Sequence, residues 1–339
     1  MSRTPLRATR DQILGYRRRV QALDERLPWS AGSLRAAAWA GLQDSMPRAA
    51  LLSLHARVGG ISPTALDDPC LVQVWGPRFS VFVIARQDLA PFTLGRHPEN
   101  ARGRRRAEEL AEAIAALLGQ RELPDREVAD ALGVGNAIRY ATTTGRVVIR
   151  WDGARAPMMR IVEPPALAPV EARDELARRY LHVYGPTDAD AFSQWAGISV
   201  REAHATFAGL DGELMAVRTP IGDRFLLAAD EADFAAPTGA PTSARLLPSG
   251  DAFYLLQGAD RDLLVPNPAH RARLWTPRVW PGAVLLAGEI VGTWRRAGPV
   301  VTVDPWRPLT PAELAAVAHE TASLPLPGTT PPNLLMLRG

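Results

Sequence analysis

Apolar and polar positions alternate with a helical period over some stretches of the chain and with a strand period over others. The two kinds of stretch follow one another in a repeating order. The pattern is clearest between residues 170 and 228. Leu176, Ala177 and Tyr180 lie at helical spacing in a segment expected to run from Glu171 to Val183, and Gly185-Pro186 stops it. Thr187 is expected to cap a second helix, Asp188 to Ala196, which Gly197 ends. Ser199-x-x-Glu202 forms a capping box for a third helix, with Val200, Ala203, Phe207 and Leu210 on its apolar face. The short Gly197-Ile198-Ser199 junction has helix-turn-helix spacing. Strands are then expected over Glu213–Thr219 and Arg224–Ala228, joined by Pro220-Ile221-Gly222-Asp223. A generic bundle would explain the helices. It would not explain a hairpin at that place, so the segment reads as a winged helix.

Two weaker copies precede it. In one, helices are expected over Arg104–Leu118, Asp125–Leu132 and Asn136–Thr143. Strands Arg146–Trp151 and Met158–Glu163 then flank the turn sequence Asp152-Gly153. In the other, Thr9-x-x-Gln12 caps a helix carrying Ile13, Leu14, Tyr16 and Val20. Helices over Ser33–Leu42 and Pro47–Val58 follow, then strands Leu71–Trp75 and Phe79–Ala85. Beyond residue 240 short strands dominate: Ala244–Leu247, Ala252–Leu256, Ala283–Leu286, Glu289–Thr293 and Val300–Val303. A helix over Pro311–Ala322, capped by Thr310, closes that unit. The pattern therefore predicts an α+β protein. Its units are tandem winged-helix motifs over 9–97, 98–165 and 170–235, a small β-barrel or sheet over 240–325, and a loose Pro- and Gly-rich tail over 326–339.

Composition narrows the chemistry. The chain has 339 residues, with 47% hydrophobic and 22% charged positions, as in an ordinary globular protein. Its basic residues number 39, and every one is arginine, because the sequence contains no lysine. Codon usage in a GC-rich genome is the plain cause, yet the consequence is chemical. No lysine Schiff base can form, which excludes lysine-anchored pyridoxal phosphate, class I aldolase chemistry and a P-loop that needs its lysine. The net charge of +3 permits a polyanionic partner without demanding one.

One cysteine, Cys70, rules out an internal disulfide and fits a reducing compartment. The start Met1-Ser2-Arg3-Thr4 has no apolar signal core, and no run approaches the roughly 18 apolar residues of a membrane span, so a cytoplasmic location is expected. Six histidines (His55, His97, His182, His204, His270 and His319) are scattered without ligand spacing, so neither a metal nor a cofactor is expected. Gly133-x-Gly135 lacks the preceding strand of a dinucleotide loop, and no Gly-x-Ser-x-Gly elbow occurs.

Several short stretches, taken in order, carry a resemblance. They are Ala40-Gly41-Leu42-Gln43 followed by Pro47-Arg48-Ala49-Ala50, Leu71 to Arg78, Arg178-Arg179-Tyr180-Leu181 before Gly185-Pro186, Asp262 to Pro266, and Val291 to Arg296. With them the chain, over about 10–325, resembles the winged-helix DNA-binding family that includes the AlkZ-like and YcaQ-like DNA glycosylases. The resemblance implies double-stranded DNA as partner, carrying alkylated or crosslinked bases, and a catalytic Gln-x-Gln or Gln-x-Asp motif with an aliphatic middle residue. That motif falls on Gln43-Asp44-Ser45. Gln43 matches, Ser45 stands where Gln or Asp is expected, and Asp44 fills the aliphatic slot. The departure leaves two readings, a glycosylase or a non-catalytic DNA-binding protein of the same fold.

A base alkylated on a ring nitrogen leaves as a good leaving group. The site then needs oriented oxygens to hold a water and face an oxocarbenium-like sugar, more than it needs a strong acid. Gln43 is either such a group or a polar residue at a helix end. Asp44 would project away from it and suits a capping or salt-bridging role. Apart from the N-terminal amine the sequence offers no amine nucleophile, which lyase action requires, so a glycosylase here is expected to be monofunctional. Arginine clusters usually form solvated faces. Among them, Arg48, Arg78 and the Trp294-Arg295-Arg296 run are the expected phosphate contacts, since arginine grips phosphate bidentately. A monomer is expected.

Overall fold

The computed structural model describes residues 5–237, 239, 241, 243–326 and 332–337. Their architecture is α+β, built on three sheets. The expected helix series before the 214–227 hairpin is present as Pro169–Tyr184, Ala189–Ala196 and Val200–Gly209. The Ser199–Glu202 capping box closes reciprocally at the start of the last of these. The cap of the middle helix is Asp188, whose carboxylate accepts from the Ala191 N–H, and not Thr187 as expected. Thr187 is instead hydrogen-bonded through its backbone to Phe225. Strands Leu214–Thr219 and Gly222–Leu227 pair antiparallel, and Leu6–Arg7 joins them as a third, parallel strand.

That third strand brings the start of the described chain onto the 214–227 hairpin. Helix Arg10–Val20, with its Thr9/Gln12 capping box, was assigned to the first unit. It packs instead on the third. Tyr16 meets Phe234 edge to face, and its hydroxyl donates to Asp230 at 2.8 Å. Fully buried Arg17 reaches the Gly185 and Pro186 carbonyls and pairs with Asp260 at 2.7 Å.

The first and second copies also share one sheet. Its strand order is Leu42–Gln43, Val81–Ala85, Leu71–Trp75, Val147–Arg150, Met158–Ile161 and Leu123–Pro124, and Gln73 faces Ile149 where the copies meet. Helices Ala101–Leu118 and Asp125–Leu132 cover the second copy's part of it with Ile114, Leu118 and Val128. The helix expected over Asn136–Thr143 winds as a 3-10 helix, Gly135–Thr144, which Gly145 ends.

The expected helix over Ser33–Leu42 stops at Ala37. Gly41 then takes φ +72°, and a Cβ there would sit 2.9 Å from both the Phe82 and Phe92 rings. That close approach lets Leu42–Gln43 turn into the sheet as an edge strand against Val83 and Phe82. The next helix begins at Ala49, after Arg48 at φ +66°.

The C-terminal sheet is open. It runs Arg245–Leu247, Gly282–Leu286, Glu289–Ala297, Val300–Pro305 and Asn333–Met336, with the two outer strands unpaired to each other, so the barrel alternative does not hold. Residues 252–254 form a 3-10 turn, not the expected strand, because Asp251 caps the Phe253 N–H. Helix Pro311–Ala322 forms with Thr310 and Glu313 in a capping box. Part of the tail expected to be loose pairs in parallel with Val300–Val303, because Asn333–Met336 alternates exposed and half-buried residues against that strand. The largest apolar core joins all these parts, with Phe82, Trp195, Leu210, Tyr254 and Leu285 in one cluster.

Candidate DNA-processing site

The motif Gln43-Asp44-Ser45 leaves the edge strand still extended, with the Asp44 N–H donating to the Val81 carbonyl at 2.7 Å. Strand geometry sends neighbouring side chains to opposite faces. Gln43 turns one way. Its Oε1 accepts from Arg78 Nη2 at 3.2 Å, and its amide nitrogen lies against Gly250, where a Cβ would come within 3.3 Å. Asp44 turns the other way and is buried. Its carboxylate accepts from the Ala50 N–H and from Gln73 Nε2, each at 3.0 Å. It therefore serves as a cap for the first turn of helix Ala49–Arg57, the structural role its charge suited. Burial lifts its carboxyl to about 6, against the lowering pull of those hydrogen bonds. Ser45 is exposed.

A cavity lies on each side of the segment. The first, of about 490 Å³, is lined by Asp44, Arg48 and Gln73, and its lining balances four arginines against five acids. The second, of about 650 Å³, is lined by Ser45, Arg78, Phe79 and Trp151 together with Arg126, Arg139 and Arg155. Asp125 is its one acid. Trp151 borders both. Gln73 ties that residue to the motif: it donates to the Trp151 carbonyl at 3.1 Å and accepts from the Trp151 N–H.

Arg78 links the second cavity to Gln43. It sits at the turn of the 71–85 hairpin, where Pro77–Phe79 forms a 3-10 turn and Arg78 takes φ +54°, so the following strand begins at Val81 and not at Phe79. Its Nη1 donates to the Trp195 carbonyl at 3.0 Å. Buried Arg96 donates to the neighbouring Ala196 carbonyl at 2.9 Å. Both guanidiniums thus sit on the negative C-terminal end of helix Ala189–Ala196.

The motif strand is braced from the C-terminal unit. Asp251, next to Gly250, is fully buried and takes both Arg57 nitrogens, at 2.7 and 2.8 Å, and the Ser53 hydroxyl at 2.6 Å. Gln73, Arg96, Gly250 and Asp251 went unnoticed in the sequence. Their partners are distant in sequence, as Gln73 and Asp44 are 29 positions apart and Asp251 and Ser53 are 198 apart, and only the alternation of Leu71–Trp75 around a polar Gln73 hinted at one of them.

The Trp294-Arg295-Arg296 run divides. Trp294 is core: it is buried, and its indole N–H donates to the Leu247 carbonyl at 2.8 Å, so it offers no ring to DNA. Arg295 and Arg296 are exposed at the end of their strand and donate to the carbonyls of Val279 and Gly298. Arg48 borders the first cavity and Arg78 the second. Among the described residues no group of three or more His, Cys, Asp or Glu could hold a metal ion, and no helix is long and apolar enough to cross a membrane.

The cavity lined by Arg78, Arg126, Arg139 and Arg155 beside the Gln43 strand is a basic patch of the kind that meets phosphates. The family described as DNA glycosylase AlkZ-like matches residues 36–325, and the chain belongs to that family. Membership supports a role as a DNA glycosylase with DNA as substrate. Among solved structures the chain is similar to the Streptomyces sahachiroi DNA glycosylase AlkZ, with a TM-score of 0.79 and 18% identity over 98% of this chain and 100% of that one. At that identity the likeness speaks for the fold. No curated protein sequence matches the chain.

Proposed function

We propose that the protein is a monofunctional DNA glycosylase that removes alkylated or crosslinked bases from double-stranded DNA by water-mediated cleavage of the N-glycosidic bond. In this reading the three helix-plus-hairpin units are winged helices that present DNA to the segment 43–45. The observation that carries it is Gln43, held on the same side of its strand as the arginine that borders the cavity.

Gln43 is the group that faces the sugar. Its amide oxygen can accept from a water or lie against developing positive charge, which is all that a cationic leaving base requires. Ser45, exposed on the second cavity, supplies a hydroxyl that can both donate to and accept from the same water. Asp44 contributes by capping and not by touching substrate. Arg126, Arg139 and Arg155 meet the backbone phosphates, with Arg48 and the exposed pair Arg295 and Arg296 as outer contacts. The protein acts as a monomer.

The test is release of 7-methylguanine from globally alkylated duplex, compared between the wild type and Gln43→Ala. Excision by the wild type and its loss in a variant that still binds duplex supports the reading. Binding without release from the wild type favours the second reading, a damage-binding protein that keeps the fold. The observation behind that second reading is Ser45, which is neutral and shorter than the Gln or Asp that the resemblance implies.

A further inference from the structure

The oxygen that the chemistry needs from Gln43 is occupied. Its partner is a cation, the Arg78 guanidinium at 3.2 Å. A guanidinium there uses one of the oxygen's two lone pairs and sets a positive charge beside the place where the sugar would become positive. The free protein is thus arranged against the reaction it would carry out.

Three features make Arg78 a group able to leave. It is half-buried without a carboxylate partner among the described residues, and its electrostatic neighbours are Tyr184, Tyr180 and two further guanidiniums, Arg96 and Arg261. Burial works against its charge. Its two hydrogen bonds go to neutral oxygens, the Trp195 carbonyl and the Gln43 amide, and the Gln43 one is the longer. Its backbone, by contrast, is fixed: Gly197 passes so close that a Cβ there would lie 3.0 Å from the Arg78 nitrogen. Only the end of the side chain is free to change partner. Arg78 lines the cavity shared with Arg126, Arg139 and Arg155. A phosphodiester adds to the hydrogen bond the attraction of opposite charges and a bidentate fit, neither of which the single contact to a neutral amide oxygen supplies, so an incoming phosphate competes for the guanidinium.

We propose that Arg78 is a positioning residue released by DNA itself. In the free protein it holds the Gln43 oxygen, and a backbone phosphate entering the cavity takes the guanidinium and leaves that oxygen facing the sugar. Undamaged DNA is enough to cause the exchange, because the phosphate is what competes. The inference rests on Gln43 as the reacting amide, and its test does not need excision.

The experiment follows the side-chain amide resonance of Gln43 in the 15N-labelled full chain, assigned by its loss in Gln43→Ala, during titration with undamaged duplex. The Gln43 resonance is expected to shift on duplex addition, and in free Arg78→Met it is expected to lie already at the DNA-bound position. The log–log slope of duplex affinity against salt should be lower by about 0.9 in Arg78→Met, the loss of one phosphate contact. The proposal is overturned if the wild-type Gln43 signal stays still while cavity signals move. It is equally overturned if free Arg78→Met shows the free wild-type position, or if the salt slope is unchanged. Should Arg78→Met not fold, the wild-type titration decides alone. Because undamaged duplex has no base to lose, a failed exchange is distinct from a failed glycosylase, which shows as absent base release from alkylated duplex.

Discussion

Gln43 and Asp44 are adjacent in one short extended segment, yet their surroundings are opposite. Gln43 faces a guanidinium that has no carboxylate partner among the described residues, beside a cavity lined there by four arginines and one acid. Asp44 faces a cavity in which acids and arginines nearly balance, and both of its oxygens are used by protein donors. The negative charge present in the motif therefore points away from the cationic side, where it would screen phosphate contacts. Motif letters alone would give the aspartate the more reactive role. Strand alternation puts the amide on the cationic side and leaves the aspartate as a fastening between the segment, helix Ala49–Arg57 and Gln73.

The largest expected effect concerns what braces both faces. Asp251→Ala leaves Arg57 buried and uncompensated at a site where both partners are almost fully inaccessible. A loss of about 3–5 kcal/mol in folding stability is expected, visible in urea or thermal unfolding. A loss under about 1 kcal/mol would show that the 248–254 turn does not hold the motif strand.

Next comes the comparison itself. Gln43→Ala should lower single-turnover excision from alkylated duplex by about 10²–10³-fold, the scale of one lost electrostatic donor or acceptor at a reacting centre. Duplex affinity should hardly change. Asp44→Ala should do the reverse. Orphaning the Ala50 N–H and the Gln73 amide costs about 1–3 kcal/mol of stability, while excision at saturating DNA falls less than about tenfold. If Asp44→Ala abolishes excision in a folded protein, the division of labour between the two faces is wrong.

Much of this site was legible in the sequence and much was not, for identifiable reasons. Helix caps at Thr9, Ser199 and Thr310 were readable because the signal is local, within three residues. Helix Pro311–Ala322 and strand Leu71–Trp75 matched to the residue. The stop of the helix before Gly41 was missed because it is enforced by two distant rings, Phe82 and Phe92. That miss placed Gln43 near a helix end instead of in a strand. Trp294 read as a DNA contact beside two arginines, but strand register turns its indole to Leu247 while Arg295 and Arg296 run out beyond the core. The joining of the first two copies through Gln73 and Ile149 has no local signature at all.

The acidity of Asp44 sharpens the contrast further. Its folded-state value is raised by burial from an ordinary 3.8 to about 6. Between those values the folded protein holds a proton that the unfolded chain has lost. Stability from this group is thus complete below about pH 4 and is lost as pH rises through 6, with a slope no steeper than about 1.4 kcal/mol per pH unit. Asp44→Asn has no such proton. The stability of the variant relative to wild type should climb from pH 4 to pH 7 in urea titrations. A difference that stays flat would mean that the carboxylate ionises freely and that its face is wetter than its two protein donors indicate.

The smallest effect tests the charge of the other face. Arg155 lines the cationic cavity from the loop after Trp151, whose indole donates to the Arg155 carbonyl at 2.9 Å. Its side chain is exposed, so Arg155→Ala should leave folding within about 0.5 kcal/mol of wild type. If the arginine-rich side is where DNA lies, the variant's salt slope for duplex binding drops by about 0.9, the share of one phosphate. The same substitution at Arg150, on the acid-balanced side and already paired with Asp67 at 2.9 Å, should leave the slope unchanged. Equal drops from both would place DNA across the two cavities and remove the asymmetry on which the reading of Gln43 depends. A drop at Arg150 alone would reverse it and bring Asp44 to the reacting side.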